Sequence, residues 1–274
     1  MTDYPYDFPS SVPQRFRPRR KGRAKIPFPW LGVDTTPEGK RILGQMPGAL
    51  GLIDPGNLKT IAGVGQTITC ALTGAVYTSA IANCTLVAKG SGKVLSSTGT
   101  MGFKPNLDTG IVMSKDRWTA IFVIAPDSTA TGIGYLFSKI VADASEGRPD
   151  FSIGMNNLHI CEFDHVPGVS SQIISDYTFG ENDYKVVAIS QSPEHGMTLS
   201  INGVVNKTSP TRTEGLSSVI EERMFQVGDY GANTTLDYRG LLGWSFFADG
   251  DYHDPRYADA LSVCVSVMRD FYAI

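Results

Sequence analysis

A chain of 274 residues with 42% hydrophobic and 19% charged side chains has enough apolar material for a large core, which excludes a disordered or collagen-like chain. Its 29 glycines and 16 prolines cut it into short elements and favour an all-β architecture over long helices. The formal net charge of -3 hides an asymmetry: residues 1–25 hold seven basic side chains against Asp3 and Asp7, a balance of +5, so the remaining 249 residues carry -3 minus +5, or -8.

The first 55 residues contain nine of the prolines, at 5, 9, 13, 18, 27, 29, 37, 47 and 55. Proline fixes φ, lacks an N–H and pushes the residue before it into extended backbone. Residues 1–47 are therefore predicted to form an extended arm without its own core, ahead of a head spanning 48–274. The stretch RFRPRRKGRAKIPFPW carries the arm's chemistry. Arg15, Arg17, Arg19, Arg20, Lys21, Arg23 and Lys25 place seven cations in eleven residues, and Phe16, Phe28 and Trp30 add apolar anchors. A solvated tail has no need of those rings, nor of Tyr4, Tyr6 and Phe8 before them. Five arginines to two lysines suits bidentate contact with carboxylate or phosphate. The arm reads as a partner-binding strap. Its first-choice partner is an acidic protein surface, including a second copy of this chain; nucleic acid, bound through counterion release, comes second.

From Gly48 the pattern changes. TITCALTGAVYTSAIANCTLVAKG is rich in Thr, Val and Ile with small-residue breaks and predicts two or three short strands. RWTAIFVIAP (117–126) is apolar on both faces, as a buried central strand would be. GYLFSKIVA and DFSIGMNNLHICEF supply further strands. In HGMTLSINGVVNKTS, Met197, Leu199 and Ile201 alternate with polar neighbours, and Asn202-Gly203 is the preferred pair for a two-residue hairpin turn. RMFQVGDYG and GLLGWSFFA follow as strands, with Trp118 and Trp244 assigned to the core. The last stretch, DPRYADALSVCVSVMRDFYAI, predicts a helix: Asp254 caps it, Pro255 fits its first turn, and Tyr257, Leu261, Cys264, Met268 and Phe271 fall on one face. The run of Val263, Val265 and Val267 is the argument for a strand instead.

Cys70, Cys84, Cys161 and Cys264 show no C-x-x-C spacing, and no apolar leader precedes the arm, so free thiols in a reducing compartment are expected. The sequons at Asn83, Asn206 and Asn233 are then without consequence. No run is long and apolar enough to predict a membrane span. GSGKV fails as a phosphate loop, because Val87 and Val94 occupy positions that need glycine and Ser or Thr. HICEFDH puts His159, Cys161 and His165 at one strand parity, but ligands four and six residues apart do not converge on zinc without a turn. ADGDYHDP groups Asp249, Asp251 and Asp254, a candidate calcium rim that lacks the further oxygens of a complete loop; helix capping and solvation serve equally well. No cofactor is expected.

RWTAIFVIAP, MTLSINGVVNKT and YRGLLGWSFFADGDYHDPRYADAL, in that order, resemble the concanavalin A-like, laminin-G-like jelly-roll sandwich. The likeness covers roughly residues 95–274. It implies an all-β jelly-roll β-sandwich with an extended basic, Pro-rich N-terminal arm and a short C-terminal helix. An arm joined to such a head is also similar to bacteriophage virion proteins of the decoration, tail or fibre type. That resemblance implies a non-enzymatic virion protein, docked through its arm to other virion proteins and to itself as a homo-oligomer, with host-surface glycan as a possible ligand of the head. The alternative within the same fold is a laminarinase-like glycoside hydrolase, whose active strand reads Glu-x-Asp-x-x-Glu. In CEFDHVPG, Glu162 and Asp164 match the first two positions, but Pro167 stands at the third. Hydrolysis needs a second carboxyl at fixed separation, so catalytic residues are not expected here.

Overall fold

The computed structural model describes residues 38–79, 84–98, 102–105, 111, 113, 117–129, 133–140, 149–164, 172–210, 221–224 and 238–274. In chain order these form helix α1 (Glu38–Gly44) and strands β1 (Ala49–Ile53), β2 (Lys59–Ile61), β3 (Gly65–Thr69), β4 (Val76–Ser79), β5 (Thr85–Lys89), β6 (Gly92–Thr98), β7 (Lys104–Pro105) and β8 (Trp118–Pro126). Then come β9 (Ile133–Ile140), β10 (Pro149–Asn156), β11 (His159–Asp164), β12 (Gln172–Ile174), β13 (Lys185–Ser192), β14 (Gly196–Ile201), β15 (Val204–Ser209), β16 (Glu221–Met224), β17 (Arg239–Asp249) and helix α2 (Ala258–Tyr272).

The described strands pair antiparallel in an eight-stranded sheet (β15-β14-β13-β8-β17-β6-β5, with β1 also on β17), a five-stranded sheet (β12-β11-β10-β9-β16) and a four-stranded sheet (β2-β3-β4-β7). The eight-stranded sheet has a core on each face. On its inner face Trp118, Phe122, Val187, Ile189, Leu199 and Phe247 pack against Tyr135, Phe137, Ile153 and Ile173 of the five-stranded sheet and Ile68 and Tyr77 of the four-stranded one. On its outer face Ile121, Val123, Val186, Ala188, Trp244 and Phe246 pack against the two helices. Every residue of β8 is buried, which is why RWTAIFVIAP reads as apolar on both sides: alternate side chains enter two different cores. A register shift in β17 between Leu242 and Ser245 changes which parity faces inward, so Leu242 and Phe247 share the inner core while Trp244 joins the outer one.

The outer layer is where the structure departs from the sequence reading. Residues 38–47, expected in the extended arm, belong to the head. Glu38–Gly44 is helical, Leu43 is fully buried, and the compact unit starts at Pro37. Helix α1 is fastened by Lys40, which pairs with Asp54; Asp54 also accepts from the Gly56 N–H at 2.8 Å and from Trp244 Nε1–H at 3.1 Å. One apolar leucine and one lysine with a buried partner outweigh the extended bias of the flanking prolines. The C-terminal segment is a helix and not a strand. Ala260, Leu261, Cys264, Val265, Met268 and Tyr272 form its buried stripe at helical spacing. Asp254 caps a 3-10 turn, Pro255–Tyr257, by accepting from the Arg256 N–H, with Pro255 in that first turn as expected. Trp244 anchors the layer: it stacks on Phe271 with centroids 3.9 Å apart, and its N–H donates to the Tyr272 hydroxyl at 3.0 Å.

The predicted hairpin is present, with Val187 to Ser192 pairing β14 from the other side. The sequence reading missed a second tight turn. Asn157 and Leu158 take φ 47° and 68° between β10 and β11; a leucine at positive φ gives no sequence signal. Of RMFQVGDYG, Arg223 and Met224 close β16, and the remainder lies outside the described residues. Cys70, Cys84 and Cys264 are buried, and burial pushes the Cys264 thiol well up, away from the thiolate form that reacts.

Candidate functional site

An open groove of about 560 Å³ runs between the tip of the β14–β15 hairpin and the flank of α2 that faces it. Its wall is Val204 and Val205, 71% and 55% exposed, and its floor is Leu261 and Val265. Arg269 and Asp270, in the last turn of α2, close one end. The turn that raises the wall is built by two residues. Asn202 and Gly203 take φ 52° and 82°, the left-handed pair of a type I′ turn. Asn202 Oδ1 accepts from the Val186 N–H at 2.9 Å, and the Asn202 N–H donates to the Val186 carbonyl at 2.7 Å, which ties the tip to β13. A Cβ on Gly203 would stand 3.7 Å from a Val265 methyl, so the tip lies against α2 in ordinary contact.

Behind the groove is a buried polar knot. Asp251, 3% exposed, accepts from Ser190 Oγ at 2.6 Å, Ser192 Oγ at 2.8 Å, the His253 N–H at 3.0 Å and His195 Nδ1 at 3.2 Å. His253, which also lines the groove, lies between two serines, with Nδ1 at 2.5 Å from Ser190 Oγ and Nε2 at 2.9 Å from Ser200 Oγ. Ser190 spends its only proton on the carboxylate, so it must accept from His253; Nδ1 then carries the ring proton and Nε2 accepts from Ser200. Burial pushes the imidazole pKa down to about 4, against the opposing pull of Asp251, so the ring is neutral at pH 7. The knot differs in order from a serine-hydrolase triad, and Ser200, the serine on Nε2, is fully buried. A serine hydrolase places the imidazole between serine and carboxylate, whereas here Ser190 lies between the imidazole and Asp251.

The candidate calcium residues do not share an open position. Asp251 is filled by the knot. Asp254 is held by Arg256 through its N–H, Nε and Nη2, and these bonds keep its carboxyl below the usual range. Asp249 ends β17, where its N–H donates to the Gly48 carbonyl at 2.8 Å. Among the described residues no group of three His, Cys, Asp or Glu could hold a metal ion. His159 is committed to structure: Nδ1 faces the Ser175 carbonyl at 3.0 Å and Nε2 the Thr178 hydroxyl at 3.4 Å. Glu162 and Asp164 lie on β11, opposite Ile153 and Phe151 of β10; His165 and Pro167 lie outside the described residues, as do the arm residues from Arg15 to Trp30. No described helix is long and apolar enough to cross a membrane.

The knot and the groove were absent from the sequence reading. Ser190 and Asp251 are 61 residues apart, and Val204 and Val265 meet only because α2 folds back over the sheet. The one local hint was that His195 and His253 each follow a strand, three residues past Ser192 and four past Asp249.

No protein-family description matches the chain, and no curated protein is similar to it in sequence. Among solved structures, the chain is similar to the Trypanosoma rangeli sialidase in complex with 2,3-difluoro-KDN, at TM-score 0.56 and 10% identity over 85% of this chain and 37% of the sialidase. It is also similar to the binding domain of botulinum neurotoxin serotype G, at TM-score 0.57 and 12% identity over 80% of this chain and 51% of that one. The chain thus spans about a third to a half of the length of these relatives. At such identities the likeness is one of fold: the head is an antiparallel β-sandwich of the kind found in sialidases and binding domains, carrying a C-terminal helix.

Proposed function

We propose that this chain is a non-enzymatic structural and interaction protein of a bacteriophage particle, a concanavalin A- and laminin-G-like head held by its N-terminal arm and turned towards host-surface glycan. The observation that carries the non-enzymatic part is the state of five acids and imidazoles among the described residues of the head. Asp54, Asp251, Asp254, His159 and His253 each have their hydrogen-bonding capacity taken up by structural partners. Hydrolysis of a glycoside needs one carboxyl as acid and a second as nucleophile or base across an open site, and among the described residues Asp270 is the one carboxylate side chain lining the groove. Glycan is favoured as the head's ligand by analogy with the sialidase that shares the sandwich. The particle assignment is favoured by the division of charge, +5 on residues 1–25 against -8 on the rest, which suits an arm that fastens acidic heads together. The test is a panel of β-glucans and host-type oligosaccharides, scored for binding and for released sugar. Saturable binding without turnover is expected. Turnover by the wild-type chain that disappears in Glu162→Gln would overturn the reading in favour of the hydrolase.

A further inference from the structure

We propose that the groove beside α2 is the receptor for the arm of a second copy of this chain, taking the basic, aromatic stretch within residues 15–30. The proposal rests on the reading of the arm as an attachment element and adds where on the head it attaches.

Three observations select this occupant. The first is apolar: Val204 and Val205 stand exposed at 71% and 55% beside the nearly buried Val265 and Leu261. Aliphatic wall and floor together are a surface for Phe28 and Trp30, which lie at the end of the basic run. The second is electrostatic. The groove opens at the C-terminal end of α2, where backbone carbonyls carry the negative end of the helix dipole and Asp270 adds a full charge. Among the described residues Arg269 is the one cation side chain there, and its Nε donates to the Ile274 carbonyl at 3.2 Å. Arg269 and Asp270 offset one another, and the helix-end carbonyls tip the balance towards a cationic segment such as the arm.

The third is the position of the arm's root. Helix α1 lies against the other flank of α2: a Cβ on Gly39 would stand 3.1 Å from Val267 and from the Trp244 ring. Lys40 and Asp54 hold it there. Val267 is half a turn around the helix from Val265 and Arg269, so α1, which the arm precedes in sequence, and the groove lie on opposite flanks of α2. The seven residues between Trp30 and α1 span at most about 25 Å, so the receiving head must lie within that reach of the donor's α1. An arm that filled only its own groove would attach the head to nothing.

The test uses the full-length chain carrying p-benzoylphenylalanine in place of Trp30, mixed as isotope-labelled and unlabelled copies, irradiated and mapped by mass spectrometry. The proposal expects mixed-isotope cross-links to residues 202–205 or 261–270. It also expects Val204→Glu with Val205→Glu to remove them and to raise the concentration needed for self-association by at least about tenfold. Cross-links to another face of the head, with self-association intact in the groove variant, would overturn this receptor while leaving the arm as an attachment element. Same-isotope links alone would overturn it in favour of the chain's own arm. A groove that instead binds a glycan, unaffected by removal of the arm's cations, would overturn it as well.

Discussion

Lowering the pH from 7 to 4 is expected to weaken the head by about 3 kcal/mol through His253. The ring's native pKa is pushed down to about 4 from 6.5, and each pKa unit corresponds to about 1.4 kcal/mol. The unfolded chain therefore binds a proton at this residue between pH 6.5 and 4 that the native chain refuses. Stability rises with pH through that window, is complete above about 6.5, and falls as the pH drops towards the native pKa. The physical cause is the wedge of His253 between Ser190 and Ser200: protonating Nε2 would point a second N–H at the Ser200 oxygen and turn that hydroxyl away from the ring. Asp251 lies on the far side of Ser190 and His195 beyond it. Carboxylates with lowered pKa values, such as Asp183 and Glu194, also lose stability in acid. The quantity to read is therefore the difference between wild type and His253→Gln. Urea unfolding followed by the fluorescence of Trp118 and Trp244, both fully buried, should show the two chains converging by about 3 kcal/mol between pH 7 and 4. Parallel profiles across that range would refute the assignment of a neutral, buried imidazole.

Three further substitutions probe the layers around the groove. Lys40→Ala leaves Asp54 buried without its cation and should cost about 3 kcal/mol, measured by urea unfolding; a neutral result would mean that α1 is not fastened by this pair. Gly196→Ala puts a Cβ 2.2 Å from the Ser209 carbonyl at φ +71° and should cost at least about 2 kcal/mol, with splaying of the β14–β15 hairpin visible as faster amide exchange. Ser245 Oγ is buried without a partner among the described residues, so Ser245→Ala should be neutral or should stabilise by about 1 kcal/mol in the same unfolding assay.

The sandwich was legible in the sequence where a physical signal is local. Asn202-Gly203 announces its turn, β8 announces two buried faces, and the spacing from Leu261 to Met268 announces a helix despite three interleaved valines. What was not legible depends on contacts across the chain. Residues 38–47 look like a continuation of the Pro-rich arm until Asp54 and Trp244 supply partners for Lys40. Asp251 looks like a loop acid or a calcium ligand until Ser190 and Ser192 arrive from β13 and fill its oxygens. The groove has no sequence signature, since Val204 reads as the first residue of a return strand and Val265 as part of a β-branched run. Only the return of α2 over the outer face of the sheet makes them neighbours.

The most direct measurement is the mass in solution, by light scattering, of the full-length chain and of a chain beginning at Pro37, each at low and high salt. Attachment through the arm predicts an oligomer for the full-length chain at low salt, its dissociation at high salt as the cation contacts are screened, and a monomer at both salts without the arm. Equal monomeric masses for both chains under both conditions would contradict the claim that the arm joins copies of this head.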